Sequence, residues 1–366
     1  MDYTKDKRIV MTLDAGGTNF VFSAIQGGKE VIDPISFPSN ANDLDKCLGT
    51  MVNGFEAVEK LLPEKPVAIS FAFPGPADYP NGIIGNLPNL KAFRGGIALG
   101  PMLEEKFNLP VFINNDGDLY AYGEALAGYL PYVNQLLEEA GSPKRYKNLV
   151  GFTLGTGFGA GIVRNGELFI GDNSGAGEVW LLRNKLDPRM NAEEGVSIRA
   201  VQREYTNLVG IPFENAPSPK EVFEIATGKL KGNKEAALKS YERMGEVLGD
   251  AIGNVLTLID GIAVIGGGVS GAASLFFPKM IDEMKSTYKN HTGDVYGRLS
   301  VSAFNLEDDK DMKTFLKGDS KEIKVPGGSK TVMYDPMARI GVGISKIGTS
   351  KAVSLGAYAF ALNNLK

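Results

Sequence analysis

Short apolar runs broken by glycine-rich turns set the pattern of this chain. Ile9 to Leu13 and Phe20 to Ile25 are β-branched or aromatic and flank Asp14-Ala15-Gly16-Gly17-Thr18-Asn19, which predicts adjacent strands of a hairpin. Val67 to Phe73 is a fully apolar strand stopped by Pro74-Gly75-Pro76, and Pro110 to Ile113 is another that delivers Asn114-Asn115-Asp116. Leu149 to Leu154 and Phe158 to Val163 repeat the first design around Gly155-Thr156-Gly157, and Gly261 to Ile265 runs into Gly266-Gly267-Gly268. Helical spacing covers residues 43–62, 101–107, 118–126, 193–208, 233–258 and 350–365. Ser218-Pro219-Lys220-Glu221 reads as a capping box with proline at the first helical position. The turn-rich stretch 78–96 holds Ile83, Ile84, Leu87, Leu90 and Phe93, too apolar for a disordered loop, whereas 306–336 is polar and reads as an inserted excursion.

Composition narrows the classes. At 366 residues the chain has room for two domains with their own cores. A net charge of −4 leaves no basic footprint, so nucleic acid is disfavoured as a partner. The polar start and the lack of any apolar run of about 18 residues predict neither a leader nor a membrane span, and point to the cytoplasm. Cys47 is the single cysteine, which excludes intrachain disulfides and multi-cysteine zinc clusters. The single histidine, His291, sits in a polar loop, so Ser-His-Asp and Cys-His catalysis are excluded. Any proton transfer then falls to a carboxylate, lysine or tyrosine.

Candidate chemistry gathers at the turns. A Gly16-Gly17-Thr18 turn offers unhindered amides and a hydroxyl to phosphate oxygens, and Asp14 beside it could hold Mg²⁺; an ordinary tight hairpin has the same outline. The second copy, about 140 residues on, suggests two lobes with a nucleotide held between them. Asp116 stands at a strand's carboxyl end, where α/β sheets collect ligands, either as a catalytic acid or as a cap of the next helix, a role Asp118 could also fill. Glu178 follows two glycines and either faces a cleft or is solvated. Gly267 and Gly268 form a strand-to-helix turn suited to a flat ring or a phosphate, although neither GxxxxGK[ST] nor GxGxxG occurs.

In this order the segments resemble those of the ROK family (repressor, open reading frame, kinase) of the actin-like, hexokinase and Hsp70 ATPase superfamily. The resemblance rests on five segments: Asp14-Ala15-Gly16-Gly17-Thr18; Phe73-Pro74-Gly75-Pro76-Ala77-Asp78 with Asn86-Leu87-Pro88-Asn89-Leu90; Asn115-Asp116 with Gly123-Glu124; Leu154 to Gly161; and Ile265 to Ser270. It implies an α/β, two-lobed actin-like ATPase (ribonuclease H-like) fold with an interdomain cleft. Residues 1–118 would form the N-terminal lobe, 119–348 the C-terminal lobe, and 349–366 a closing helix returning to the first lobe. It further implies ATP-dependent phosphorylation of a sugar hydroxyl, with Asp116 the general base. Gly75, Asn89, Asn115, Glu178 and Glu193 would hold the sugar. Gly16, Gly17, Thr18, Gly155, Thr156, Gly157, Gly267 and Gly268 would hold ATP, with Asp14 toward Mg²⁺.

Two departures qualify the match. Where the family usually has Glu-x-Gly-His, this chain reads Glu178-Val179-Trp180-Leu181, so Leu181 replaces a sugar-contacting and zinc-ligating histidine. The family's cysteine-rich loop is absent and only Glu193-Glu194-Gly195-Val196-Ser197 follows it, so zinc is not expected. The leading expectation is a glucokinase-like hexokinase taking a small-molecule sugar; a homo-oligomer is left open. The alternatives are an amino-sugar or fructose kinase, or a catalytically silent sugar or nucleotide sensor. A sugar-responsive repressor would place a helix-turn-helix ahead of the first glycine turn, which here opens at Asp14.

Overall fold

The computed structural model describes residues 3–87, 90 and 92–365, so Asn89 lies outside the described residues. The chain divides into two compact units, the first made of residues 1–128, 161–176 and 347–366, the second of 129–160 and 177–346.

In the first unit β1 (Val10–Ala15) and β2 (Asn19–Gln26) are antiparallel, with Asp14 opposite Val21. Helix α1 (Leu44–Leu61) follows, its first turn capped by the Asp43 side chain, which accepts from the Lys46 amide. Strand β3 (Ala68–Ala72) runs parallel to β1; after α2 (Leu99–Phe107), β4 (Val111–Asn114) runs parallel to β3. Aromatic rings fill the layer under α1: Phe22 meets Phe55 edge to face at 5.1 Å, and Phe55 meets Phe71 at 5.9 Å.

Helix α3 (Asp116–Leu126) leaves the carboxyl end of β4 and packs on the closing helix Thr349–Asn364. Glycines make that packing close. A Cβ on Gly123 would lie 1.9 Å from the Ala352 carbonyl oxygen, and one on Gly356 would lie 2.0 Å from that of Leu119. Each helix therefore presents bare backbone where the other crosses it, and any larger residue forces them apart.

The second unit begins with α4 (Tyr129–Glu139) and repeats the strand pattern. β5 (Leu149–Leu154) is followed across the second glycine turn by β6 (Phe158–Arg164), of which residues 158–160 belong to this unit. Helices α5 (Ile198–Val209), α6 (Pro219–Ala226) and α7 (Lys234–Ile259) come next, then β7 (Ile262–Gly266), parallel to β5. After α8 (Ala273–Met284), β8 (Ser302–Asn305) and β9 (Arg339–Ile344) extend the sheet in the order β5-β7-β9-β8, all parallel. Ser218 and Glu221 form the reciprocal capping box of α6 that the sequence predicts. The stretch between β8 and β9 holds a helix, Asp309–Lys317, and an exposed hairpin of Lys321–Lys324 with Thr331–Tyr334.

Candidate active site

Asp14 is the exposed penultimate residue of β1, and the turn beyond the strand is held from behind. The Ser39 hydroxyl donates to the Gly17 carbonyl at 2.6 Å and the Ser39 amide to the Thr18 carbonyl at 2.9 Å, leaving Gly17 and Thr18 exposed.

At the end of β4 the Asn115 side chain accepts the Gly117 amide at 2.8 Å and is the N-cap of α3. The helix therefore starts two residues earlier than the sequence pattern suggests: Asp118, read as a candidate cap, is 3% exposed inside it. Asp116 stands exposed in the first turn, with Oδ1 accepting the Gly117 amide at 2.9 Å. Asp14 and Asp116 line one pocket of about 320 Å³, with Phe73, Pro74 and, from the first turn of the closing helix, Thr349 and Ser350. Beside it the Tyr79 hydroxyl donates to the Phe73 carbonyl at 2.9 Å and receives the Asn115 amide nitrogen at 3.5 Å. A Cβ at Gly75 would lie 3.0 Å from the same hydroxyl, so Gly75 and Asn115 converge on Tyr79.

In the second unit, Gly155, Thr156 and Gly157 turn β5 into β6. The Gly155 carbonyl accepts the Ile198 amide at 2.9 Å, joining this turn to the start of α5. Glu193 is brought here as well: one oxygen accepts the Phe158 amide at 3.1 Å and the other accepts Arg199 at 3.0 Å. After β7, Gly267 has φ +88°, and a Cβ there would lie 2.3 Å from the Leu154 carbonyl oxygen, whereas Gly268 is exposed with open space around it. Gly268, Val269, Gly271 and Ala272 form one wall of a pocket of about 600 Å³. Ile198 and Val201 of α5, Pro219 and Phe223 of α6, and Tyr241 of α7 close it, with Lys220, Glu224 and Lys229 at its polar edge. Flat, largely apolar walls with a few polar groups suit a purine ring.

Glu178 is exposed ahead of a short 3-10 turn, Val179–Leu181, where the Trp180 indole N–H donates to Glu178 Oε2. Leu181 is 59% exposed. The loop where the resemblance leads one to expect cysteines is held by other means. Arg183 bridges Asn191, Asn184 accepts the Leu186 and Asp187 amides, and the Arg189 guanidinium beside Asp187 holds that carboxyl down at about 2. Among the described residues, no group of three or more His, Cys, Asp or Glu side chains could hold a metal ion. A divalent ion carried on a single exposed carboxylate such as Asp14 suits Mg²⁺, which keeps several waters and shares its remaining ligands with substrate phosphates.

Three contacts escape sequence reasoning: Tyr79 with Asn115, Arg199 with Glu193, and Trp180 with Glu178. Tyr79 and Asn115 lie 36 residues apart and leave no local signal, whereas Glu193 and Arg199 are six apart and meet across the break at Ser197. Trp180 is visible only as the aromatic beside the missing histidine.

The ROK family model matches residues 10–309. The chain belongs to the ROK family. A glucokinase from Parabacteroides distasonis is 57% identical, superposes with a TM-score of 0.93, and the match covers 100% of both chains. The N-acetyl-D-glucosamine kinase of Photobacterium profundum is 27% identical over 290 residues, 73% of this chain and 87% of that protein. The xylose repressor of Caldicellulosiruptor bescii is 23% identical over 295 residues, 77% of this chain and 66% of the repressor. The ROK chain has the two-lobed actin-like ATPase fold.

Proposed function

We propose that this ROK protein is an ATP-dependent hexokinase of glucokinase type with Asp116 as general base. Carbohydrate kinase is the activity carried by its full-length relative, and the reading of glucose rests on that relative's 57% identity. The observation that carries the mechanism is the single pocket onto which Asp14 and Asp116 both open.

In this reading Asp116 accepts the proton of the attacking sugar hydroxyl as the terminal phosphoryl group of ATP is transferred to that oxygen. Asn115 and Gly75 hold the sugar from the Tyr79 side, and Glu178 accepts from sugar hydroxyls. Asn89, outside the described residues, keeps its proposed place on the sugar loop. The turns at Gly16-Gly17-Thr18 and Gly155-Thr156-Gly157 cradle phosphate oxygens with backbone amides, while Gly268 and the walls of α5, α6 and α7 seat the adenine. Asp14 would hold Mg²⁺, which when bound offsets the charge of the phosphates. Phosphoryl transfer asks for positioning and charge stabilisation, which this arrangement supplies without histidine.

A second reading, an amino-sugar kinase, is favoured by the N-acetylglucosamine kinase matched over 290 residues. Coupled ADP release measured over glucose, mannose, fructose, glucosamine and N-acetylglucosamine decides between them. The proposal requires the highest kcat/KM with glucose. A preference for the acetylated sugar establishes the second reading, and sugar-independent silence establishes a sensor.

A further inference from the structure

We propose that Trp180 is a positioning residue for the sugar: its indole N–H fixes the Glu178 carboxylate in the orientation that receives sugar hydroxyls. The inference rests on the reading of Glu178 as a sugar-binding group given above.

The local backbone dictates the pairing. Gly177 has φ +81°, and the Val179 amide donates to its carbonyl at 2.6 Å. The Leu181 and Leu182 amides then donate to the Glu178 and Val179 carbonyls, each at 3.1 Å, winding a single tight turn. Val179 is 5% exposed and anchors that turn in the core. Glu178 and Trp180, on either side of this anchor, meet through Trp180 Nε1 and Glu178 Oε2.

Among residues 177–182 (Gly, Glu, Val, Trp, Leu, Leu), Trp180 carries the only side-chain donor. The exposed Leu181 side chain has no polar atom with which to take part. Indole N–H is a donor only, so it occupies one carboxylate oxygen and leaves Oε1 to accept from a ligand. A carboxylate held in one rotamer loses less freedom when a sugar binds, and that gain appears in ground-state affinity. The contribution therefore belongs to sugar KM and not to kcat. Indole also does not titrate in the working range, so the orientation needs neither a metal nor a particular protonation state.

Trp180 is the single tryptophan of the chain, so its fluorescence reports this site alone. Titrating the full-length protein with glucose, without ATP, should change the emission with a midpoint close to the glucose KM. Unchanged emission at saturating glucose overturns the placement. Trp180→Phe, which keeps the ring and removes the donor, should raise glucose KM about tenfold, with kcat within about twofold and ATP KM unchanged. Trp180→His restores a donor and should recover most of the affinity, while making glucose KM depend on pH around the ordinary histidine value of about 6.5. In a Glu178→Ala background, Trp180→Phe should have no further effect, because the tryptophan acts through that carboxylate. Wild-type KM in Trp180→Phe, or equal losses in the Phe and His variants, overturns the inference. Wild-type protein with no sugar-dependent ADP release overturns the kinase reading instead, and the fluorescence titration still decides whether sugar reaches Trp180.

Discussion

The Phe158 amide donates to Glu193 Oε2 at 3.1 Å, and Arg199 takes the other Glu193 oxygen at 3.0 Å. One carboxylate thus braces the second glycine turn against the start of α5, whose Ile198 amide already reaches the Gly155 carbonyl. The carboxylate that the resemblance assigns to sugar therefore also supports the glycine turn we propose for ATP. Glu193→Ala should therefore raise ATP KM roughly tenfold or more, since a hydrogen bond to a charged acceptor contributes about 1.5–3 kcal/mol. Glu193→Gln keeps one acceptor and should lose less. Steady-state kinetics with both substrates varied checks this; an effect confined to sugar KM would assign Glu193 to the sugar alone.

Asp116→Asn separates base from cap. General-base catalysis contributes about 10²–10⁴-fold, and kcat should fall by that factor while sugar affinity changes little. Asn115 already caps α3, so the substitution leaves the helix start intact. Wild-type kcat in the variant would show that the proton goes elsewhere.

The glycines after β7 answer differently to substitution. Gly268→Val projects into open space at the pocket we propose for adenine and should weaken ATP binding with little change in Tm. Gly267→Val meets the Leu154 backbone at 2.3 Å with φ +88°, and should lower stability before it touches nucleotide. Nucleotide titration beside thermal unfolding of both variants tests the contrast.

The buried pair at the root of the polar excursion governs acid stability. Arg339 is fully buried and bonds Asp335 at 2.6 Å and the Phe315 carbonyl at 2.7 Å. Burial alone would raise the Asp335 pKa, yet the Arg339 hydrogen bond and the Asp319 and Met337 amides bring it below its ordinary 3.8. A depressed folded-state value means the contribution is full above about pH 3.8 and is lost as pH falls below it. Asp335→Ala strands a buried guanidinium and should cost about 3–5 kcal/mol at neutral pH in urea unfolding. The difference from wild type should narrow progressively below pH 3.8. A constant difference down to acid would locate the linkage in another group.

Local pattern was enough for the elements whose cause is local. The runs flanking Gly16-Gly17 and Gly155-Thr156 alternate or stay apolar over strand lengths, and Ser218-Pro219-Lys220-Glu221 carries its own cap. Where the cause lies far off in sequence, the pattern misleads. The expected helix over 193–208 breaks at Ser197, with Glu193–Val196 before it, because Ile198 gives its amide to Gly155. Strand β9, Arg-Ile-Gly-Val-Gly-Ile, gives little strand signal because two of its six residues are glycine. The reason is tertiary: a Cβ on Gly341 would lie 2.4 Å from Leu306, and one on Gly343 would lie 1.6 Å from the Tyr129 hydroxyl. The candidate site divides along the same line. Asp14, Asp116 and the glycine turns stand out as residue types at strand ends, whereas the partners that orient Glu178, Glu193 and Asn115 become visible only in the folded chain.

The crossing of Gly123 with Ala352 and Gly356 has a consequence for synthesis. Roughly 230 residues of chain lie between Gly123 and Gly356, including most of the second unit. At about 5–20 residues per second, a ribosome takes roughly 10–50 s to deliver the closing helix after α3 has been made. Until then the face of α3 that carries Leu119 and Gly123 lacks the helix it crosses, although Gly161 of β6 already meets the backbone at Gly117 and Asp118. The segment bearing the candidate base is thus made well before residues 347–366, which complete the packing of its helix.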